Sequence, residues 1–240
     1  MLILALDTTT AAGSVALARN GATVALRGGD PTVSHGCRLP GDVASLLQAQ
    51  RLTVQDIDLF GVAAGPGSFT GLRVGIATIQ GLALALSRRV VPVSTLEAIA
   101  YAACDHAPIE VGTRVVACMD GQRGDLFVAE FAVMASAPTC LLSAISEAAS
   151  VAPDALIVDL LDSLKMRSVF LAGDGALRHG ASIDAATGQA VPRLDPMPPL
   201  APTIARLAFA RHASAVVPHA IQPIYVRRSD AEIARQGGGR

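Results

Sequence analysis

Gly65-Pro66-Gly67-Ser68-Phe69-Thr70-Gly71 stands between an apolar run, Leu59 to Ala64, and a stretch of helical periodicity reaching to about Leu86. Its three glycines permit a tight turn, and Ser68 or Thr70 is placed to cap the helix that follows. Leu72, Ile76, Ile79, Ala83 and Leu86 form one apolar stripe along that helix, whereas Gly71, Gly75 and Ala85 keep its other faces small. Val90 to Val93 reads as a strand, and Ser94 followed three residues later by Glu97 has the capping-box pattern for a helix through Cys104. Strand, helix, strand, helix in this order implies parallel pairing and a right-handed crossover, and so an α/β protein.

Upstream, residues 2–7, 14–18 and 22–27 read as three short strands, with Asn20-Gly21 as a hairpin turn. A helix is expected to open at Pro40 and run to about Gln50, with Val43, Leu46 and Leu47 at helical spacing. Downstream, strands at 114–119, 125–133 and 168–172, a turn at Gly121 to Gly124, and helices near 154–166 and 202–213 suggest a second, smaller α/β lobe. Prolines at 192, 196, 198, 199 and 202 mark a connecting segment. The expected division is an N-terminal lobe at 1–105, completed by 214–232, a second lobe at 106–213, and a disordered tail at 233–240.

Composition narrows the core and the partners. The chain is 51% hydrophobic but 3% aromatic, with no Trp, so Ala, Val, Leu and Ile must fill the interior, which favours helices packed on sheets. With 19 Lys and Arg against 20 Asp and Glu, no general field draws it to a polyanion, and unaided nucleic-acid binding is not expected. The opening Met1 to Leu6 lacks a basic leader and is cut short by Asp7, so it reads as a buried first strand. Leu72 to Leu86 carries Arg73, Thr78 and Gln80 and falls short of the roughly 18 residues a membrane helix needs. Cys37, Cys104, Cys118 and Cys140 show no CxxC spacing and read as reduced thiols of a cytoplasmic protein.

Chemical motifs are sparse. The Gly65–Gly71 loop could turn amide N–H groups toward an anion, yet it lacks the Lys of a Walker A sequence and the spacing of GxGxxG. Pro66 and Thr70 occupy the glycine positions of a GxSxG elbow, so Ser68 does not read as a hydrolase nucleophile. The histidines, 35, 106, 179, 212 and 219, include no pair three to five residues apart to chelate a metal from one helix face. His35 reads as structural or interfacial, and Arg227, Arg228 and Arg235 as a solvated basic end. Glycine within the 70–86 helix costs roughly 1 kcal/mol each against Ala, which is explained if another backbone comes close, either the sheet beneath or a helix from a second subunit.

Ile3-Leu4-Ala5-Leu6-Asp7-Thr8-Thr9-Thr10 and Gly65-Pro66-Gly67-Ser68-Phe69-Thr70-Gly71-Leu72-Arg73-Val74-Gly75 resemble the TsaB (YeaZ) family. Ser34-His35, Val91-Pro92-Val93-Ser94-Thr95-Leu96, Met119-Asp120, Gly173-Asp174-Gly175 and Pro223-Ile224-Tyr225-Val226-Arg227 extend the resemblance over nearly the whole chain. It implies a two-lobed ASKHA (actin-like ATPase, RNase H-like) fold with duplicated mixed β-sheets flanked by helices. It also implies an accessory, non-catalytic subunit of the machinery that transfers a threonylcarbamoyl group to adenosine 37 of tRNAs reading ANN codons.

In the catalytic TsaD-like relatives two histidines four apart hold a metal, and the matching positions here are Thr95 and Ile99, so no metal and no cofactor are expected. Asp7, Thr8 and Thr9 match the strand end where ASKHA ATPases hold metal and phosphate. Thr9 replaces the usual Gly, and its Cβ narrows the approach. The resemblance further implies docking of a TsaD-like catalytic subunit, with a TsaE-like ATPase as a further partner, a homodimer when alone, and tRNA met only through the complex. It assigns the glycine-bearing helix to that interface, with Leu46, Leu47, Leu72, Ile76, Ile79 and Ala83 as contact residues; Ile76→Asp is then expected to abolish copurification with the fold largely intact. The rival readings are a small ASKHA phosphotransferase using Asp7 and a metallopeptidase of the former glycoprotease family M22.

Overall fold

β1 (Leu2–Asp7) alternates across a sheet: Leu2, Leu4 and Leu6 enter one core, Ile3 and Ala5 another. Both faces are covered, hence the unbroken apolar run. These coordinates are a computed structural model that describes residues 1–121, 123–136 and 140–227. β2 (Ser14–Arg19) and β3 (Ala22–Gly28) follow as an antiparallel meander, turned by Asn20 (φ 51) and Gly21 (φ 84). β4 (Leu59–Gly65) and β5 (Arg89–Ser94) add in parallel, giving the order β3-β2-β1-β4-β5.

One face of this sheet is covered by α1 (His35–Ala49) and α2 (Phe69–Ala85). α1 begins five residues before Pro40, contrary to expectation. Pro40 and Gly36 are both exposed, so the hydrogen bond that proline omits lies on the solvent side of the helix. Ser68 caps α2, its Oγ accepting from Gly71 N–H at 3.3 Å. α3 (Thr95–His106) is capped by Ser94, which accepts from Glu97 N–H at 3.4 Å, but the Glu97 carboxylate turns to Arg211 at 2.5 and 2.8 Å instead of closing the box.

The second sheet repeats the pattern. β6 (Arg114–Asp120) and β7 (Leu126–Ala135) form an antiparallel pair, β8 (Leu141–Ala144) and β9 (Ala149–Val151) pair with β7, and β10 (Val169–Ala172) lies parallel to β6. A single parallel bridge from Leu171 to Arg193 takes the place beside β10 that β5 holds beside β4. α4 (Pro153–Leu164), α5 (Asp174–Arg178) and α6 (Gly180–Thr187) cover the outer face, over a core that includes Val116, Val128, Leu156 and Leu160.

The two sheets meet through α3. Nine of its twelve residues are buried, and its Ala98, Ala100, Ala102 and Ala103 let a sheet approach from either side. Ile3, Ala5, Val91 and Val93 from the first sheet and Ala117, Phe127, Phe131 and Val133 from the second share this core. α7 (Ala201–Ala210) was expected in the second lobe, but it packs on β1, β2 and β4 of the first sheet. Ile204 and Ala208 fit against Gly61, where an added Cβ would lie 3.3 and 3.1 Å from them. A helical stripe announces burial without naming the sheet that buries it.

The following chain stays with the first lobe: Val216 bridges Val90, Ile221 enters the α1–α2 core, and Ile224 N–H donates to Ala64 C=O at 2.7 Å. The expected tail at 233–240 and residues 228–232 lie outside the described residues. Among the described residues no helix is long and apolar enough to cross a membrane.

Candidate functional site

The ends of β1 and β6 face each other across a cleft of about 300 Å³, lined by Thr9, Thr10, His35 and Ser68 from one lobe and Met119, Asp120 and Asp174 from the other. At its floor Asp7 is 1% exposed, and its carboxylate is already engaged. Oδ1 accepts from Thr9 N–H at 2.8 Å and Thr9 Oγ1 at 2.6 Å, and Oδ2 from Thr10 Oγ1 at 2.5 Å. Thr8 faces the other way, its hydroxyl donating to Gly71 C=O at 2.7 Å. The three threonines therefore knit strand to loop to helix.

The same contacts close the α2 N-terminus. Ser68 N–H donates to Thr9 C=O at 3.0 Å, and the Gly71 and Leu72 amides are taken by the Ser68 side chain and backbone. An added Cβ at Gly67 would lie 2.5 Å from Thr9 Cβ; at Gly71 it would collide with Thr8 C=O, and at Gly75 with Thr8 Oγ1. The close approach that these glycines permit is thus to β1's own end, where the resemblance had pointed to a second subunit.

His35 and Arg38 hold the β1–β2 loop from outside. Arg38 Nη2 lies 2.8 Å from His35 Nδ1 and can only donate, so the imidazole proton sits on Nε2, which donates to Thr10 C=O at 3.1 Å. Partial burial, then the Arg38 charge, lower the His35 pKa below its usual value. Arg38 also donates to Ala12 C=O and to Asp42 at 2.6 Å, and Asp42 receives Arg27 at 2.6 Å. This network went unread in the sequence, although Arg38 and Asp42 stand four apart on one helix face.

Across the cleft, burial is the largest influence on Asp174 and raises its pKa, while Asp120 N–H (3.0 Å) and Gly175 N–H (2.9 Å) work against it. Asp120 is paired with Arg178. Behind them the Cys118 thiol is pushed up to about 12 by burial, aided by the carboxylates of Asp174 and Asp120, and so is a poor nucleophile. His35 does not stand ready to activate Ser68, since its acceptor nitrogen is held by Arg38. Among the described residues no three His, Cys, Asp or Glu side chains converge to hold a metal ion.

The positions matched to the metal-holding histidines, Thr95 and Ile99, are 0% and 1% exposed and packed at the junction of the sheets. The six residues expected to meet a partner require correction. Leu46, Leu47, Leu72, Ile76, Ile79 and Ala83 are all buried against β1, β2 and β4 in one core, so Ile76→Asp would strike the fold first. The outward faces of the same helices carry Ala44, Ser45 and Gln48 on α1 and Ala77, Gly81 and Leu84 on α2. Arg227 is no free basic end: it pairs with Asp125 at 3.2 Å, and its guanidinium lies 5.7 Å from the centre of the Phe127 ring. Arg228 and Arg235 lie outside the described residues.

Residues 32–234 match the family model described as TsaD: tRNA N6-adenosine threonylcarbamoyltransferase. The chain belongs to this family. Among curated relatives, the tRNA threonylcarbamoyladenosine biosynthesis protein TsaB of Escherichia coli (strain K12) is 38% identical over 131 residues, which is 55% of each chain. The match thus spans about half the length of the curated relatives. The solved structure of YeaZ from Pseudomonas aeruginosa superposes with a TM-score of 0.71 at 27% identity, over 93% of this chain and 99% of that one. A second structure, of an uncharacterized protein with similarity to peptidase YEAZ from Pseudomonas aeruginosa, gives 0.74 at 26%, over 94% and 99%. The repeated mixed sheets and these neighbours fit the ASKHA-like fold.

Proposed function

We propose that this chain is an accessory subunit, without catalysis of its own, of a cytoplasmic assembly that makes threonylcarbamoyladenosine at position 37 of tRNA. It docks a TsaD-like catalytic subunit through the outward faces of α1 and α2. The observation that carries the reading is Asp7: the acidic side chain at the end of β1 has both oxygens bound by Thr9 and Thr10, which supports a surface rather than a reaction centre. The relatives, tRNA threonylcarbamoyladenosine biosynthesis proteins, support the pathway. The surface itself supports the docking, since Gly36, Gly41 and Gly81 open onto free space and Ala44 and Ala77 keep the neighbouring turns low, a relief that lets a partner helix approach closely. A second copy would occupy the same face in the partner's absence, and a TsaE-like ATPase would join the complex elsewhere.

The test is copurification with a TsaD-like subunit. Ala77→Arg and Leu84→Asp change exposed positions, so the fold is expected to survive while capture falls at least tenfold; retained capture by both variants overturns the docking face. Formation of modified adenosine by the purified chain alone, given tRNA and an activated threonylcarbamoyl donor, would overturn the non-catalytic reading.

A further inference from the structure

Aromatic side chains are scarce in this chain, and most are sheltered. Of six Phe and two Tyr, Phe69 and Tyr225 are the exposed ones, at 40% and 45%, and their ring centres lie 5.5 Å apart. Phe69 opens α2, and Tyr225 belongs to the C-terminal segment. Arg73, one turn along α2, lays its guanidinium 3.8 Å from the centre of the Phe69 ring and donates from Nε to Tyr225 Oη at 3.3 Å. Both supports are held from behind. Ser68 caps the first turn of α2, and Ile224 N–H, next to Tyr225, donates to Ala64 C=O at 2.7 Å. A guanidinium stacked on one ring and bonded to another has little freedom left to lose on binding. Among the described residues, no hydrogen bond or ion pair engages its Nη1 and Nη2, a fork that matches the two oxygens of a carboxylate. The charge around it has one sign. α2 contains no Asp or Glu, and Arg73 is its one charged residue. α1 contains one acid, Asp42, which is 7% exposed and paired with Arg27 and Arg38. In a chain with 20 Asp and Glu, neither helix exposes an acidic side chain, and Arg73 heads the exposed row Arg73, Ala77, Gly81 and Leu84.

We propose that Arg73, held between Phe69 and Tyr225, is the anchor of the docking face and takes an Asp or Glu carboxylate from the surface of the catalytic subunit. This inference rests on the docking through α1 and α2 proposed above. As the subunits close, the two rings shield the ion pair from water, which strengthens it, and Arg and Tyr are the residue types on which binding energy concentrates. The small row behind Arg73 adds close approach without charge, so the carboxylate at this end sets the register of the partner along α2. Stacking of a nucleic-acid base on the same rings is disfavoured, because phosphate binding draws on a basic surface and the chain as a whole has a formal charge of -1.

The experiment measures the affinity of the full chain for a TsaD-like subunit by calorimetry at low and high salt, for the parent and for Arg73→Gln, Arg73→Lys and Tyr225→Phe. Thermal unfolding of each variant checks that the fold is kept, as the exposure of Arg73 and Tyr225 leads one to expect. Arg73→Gln should weaken binding about 30-fold or more and flatten its salt dependence. Arg73→Lys keeps the charge but loses the planar fork, and should recover only part of the affinity. Tyr225→Phe keeps the ring and removes the oxygen that orients Arg73, for a loss of about threefold. Unchanged affinity in Arg73→Gln, with Ala77→Arg still abolishing capture, overturns the anchor and leaves the docking face standing. No binding by the parent overturns the docking itself and the anchor with it. Binding of tRNA by the chain alone that Arg73→Gln abolishes would reassign the cluster to nucleic acid and overturn the carboxylate partner.

Discussion

Gly75→Ala and Gly81→Ala place the same methyl group on the same helix two turns apart, and the structure predicts opposite signs. Both gain about 1 kcal/mol of helix propensity. At Gly81 the new Cβ meets nothing within 4 Å, so that gain should appear whole, raising the melting temperature by roughly 2–4 °C for a chain of this size. At Gly75 the Cβ collides with Thr8 Oγ1, whose hydrogen bond to Gly71 C=O must break or move. Overpacking costs about 1–3 kcal/mol, and the lost buried bond about 1 more. Set against the propensity gain, the net loss is about 1–3 kcal/mol, a fall of roughly 2–12 °C. Thermal and urea unfolding of the two variants beside the parent measure this directly. A Gly75→Ala protein as stable as Gly81→Ala would refute the claim that β1's own threonine dictates this glycine, and would return it to an interface between subunits.

His35 gives a pH dependence of definite sign. Its folded pKa lies below the usual 6.5, so the unfolded chain binds more protons between the two values; stability should be level above about 6.5 and fall as pH drops through the folded value, and His35→Gln should flatten that slope in urea titrations. Asp174 works the other way, its raised folded pKa adding stability that is lost as pH rises from the usual carboxylate range, so His35→Gln should leave an Asp174-dependent loss with rising pH that Asp174→Asn removes. Thr95→Val should raise stability by about 1 kcal/mol, since the Thr95 hydroxyl is fully buried with no hydrogen-bond partner among the described residues; a loss of that size would reveal a partner for it. Both lobes should unfold in one calorimetric transition, because α3 belongs to both, and two resolved transitions would contradict the shared core.

The strands were legible where both faces are buried or a turn carries its own chemistry. β1, β4 and β6 announce themselves as apolar runs, and Asn20-Gly21 marks the β2–β3 hairpin. β8 and β9 were not, because four and three residues on an exposed edge leave no period to detect. α5 and α6 are built around Gly and Ala, whose burial leaves little trace in hydrophobic pattern. At the site, Asp7, Thr8 and Thr9 were found as residues whose hydroxyls form turn and capping hydrogen bonds; that the partners are the Asp7 carboxylate and Gly71 C=O was not legible. The α2 stripe shows the limit most clearly. Periodicity identified Leu72, Ile76, Ile79 and Ala83 as a buried face, and the sequence could not say that the burying surface lies within the same chain.

A cleft between two lobes suggests a ligand that closes it, yet closure requires the lobes to move as separate bodies. Here the helix that would act as a hinge is the most buried among the described residues: Leu96, Ile99 and Ala103 are packed among Ala5, Val93, Ala117 and Phe131, which come from both sheets. Sliding either sheet over α3 would open gaps in this close-packed core, where each lost methylene is felt. The C-terminal segment adds a second tie, with Ile224 bonded to Ala64 in one lobe and Arg227 paired with Asp125 in the other. Rigid lobes, a bonded strand end at Asp7 and small outward residues on α1 and α2 fit the docking proposed above, because a preorganised surface lowers the ordering cost of binding a partner. Substituting Arg227→Ala should therefore loosen the lobes, seen as faster amide exchange along β7, and weaken capture by the catalytic subunit less than Ala77→Arg does. Equal losses from the two substitutions would mean that the outward helices alone do not define the docking surface.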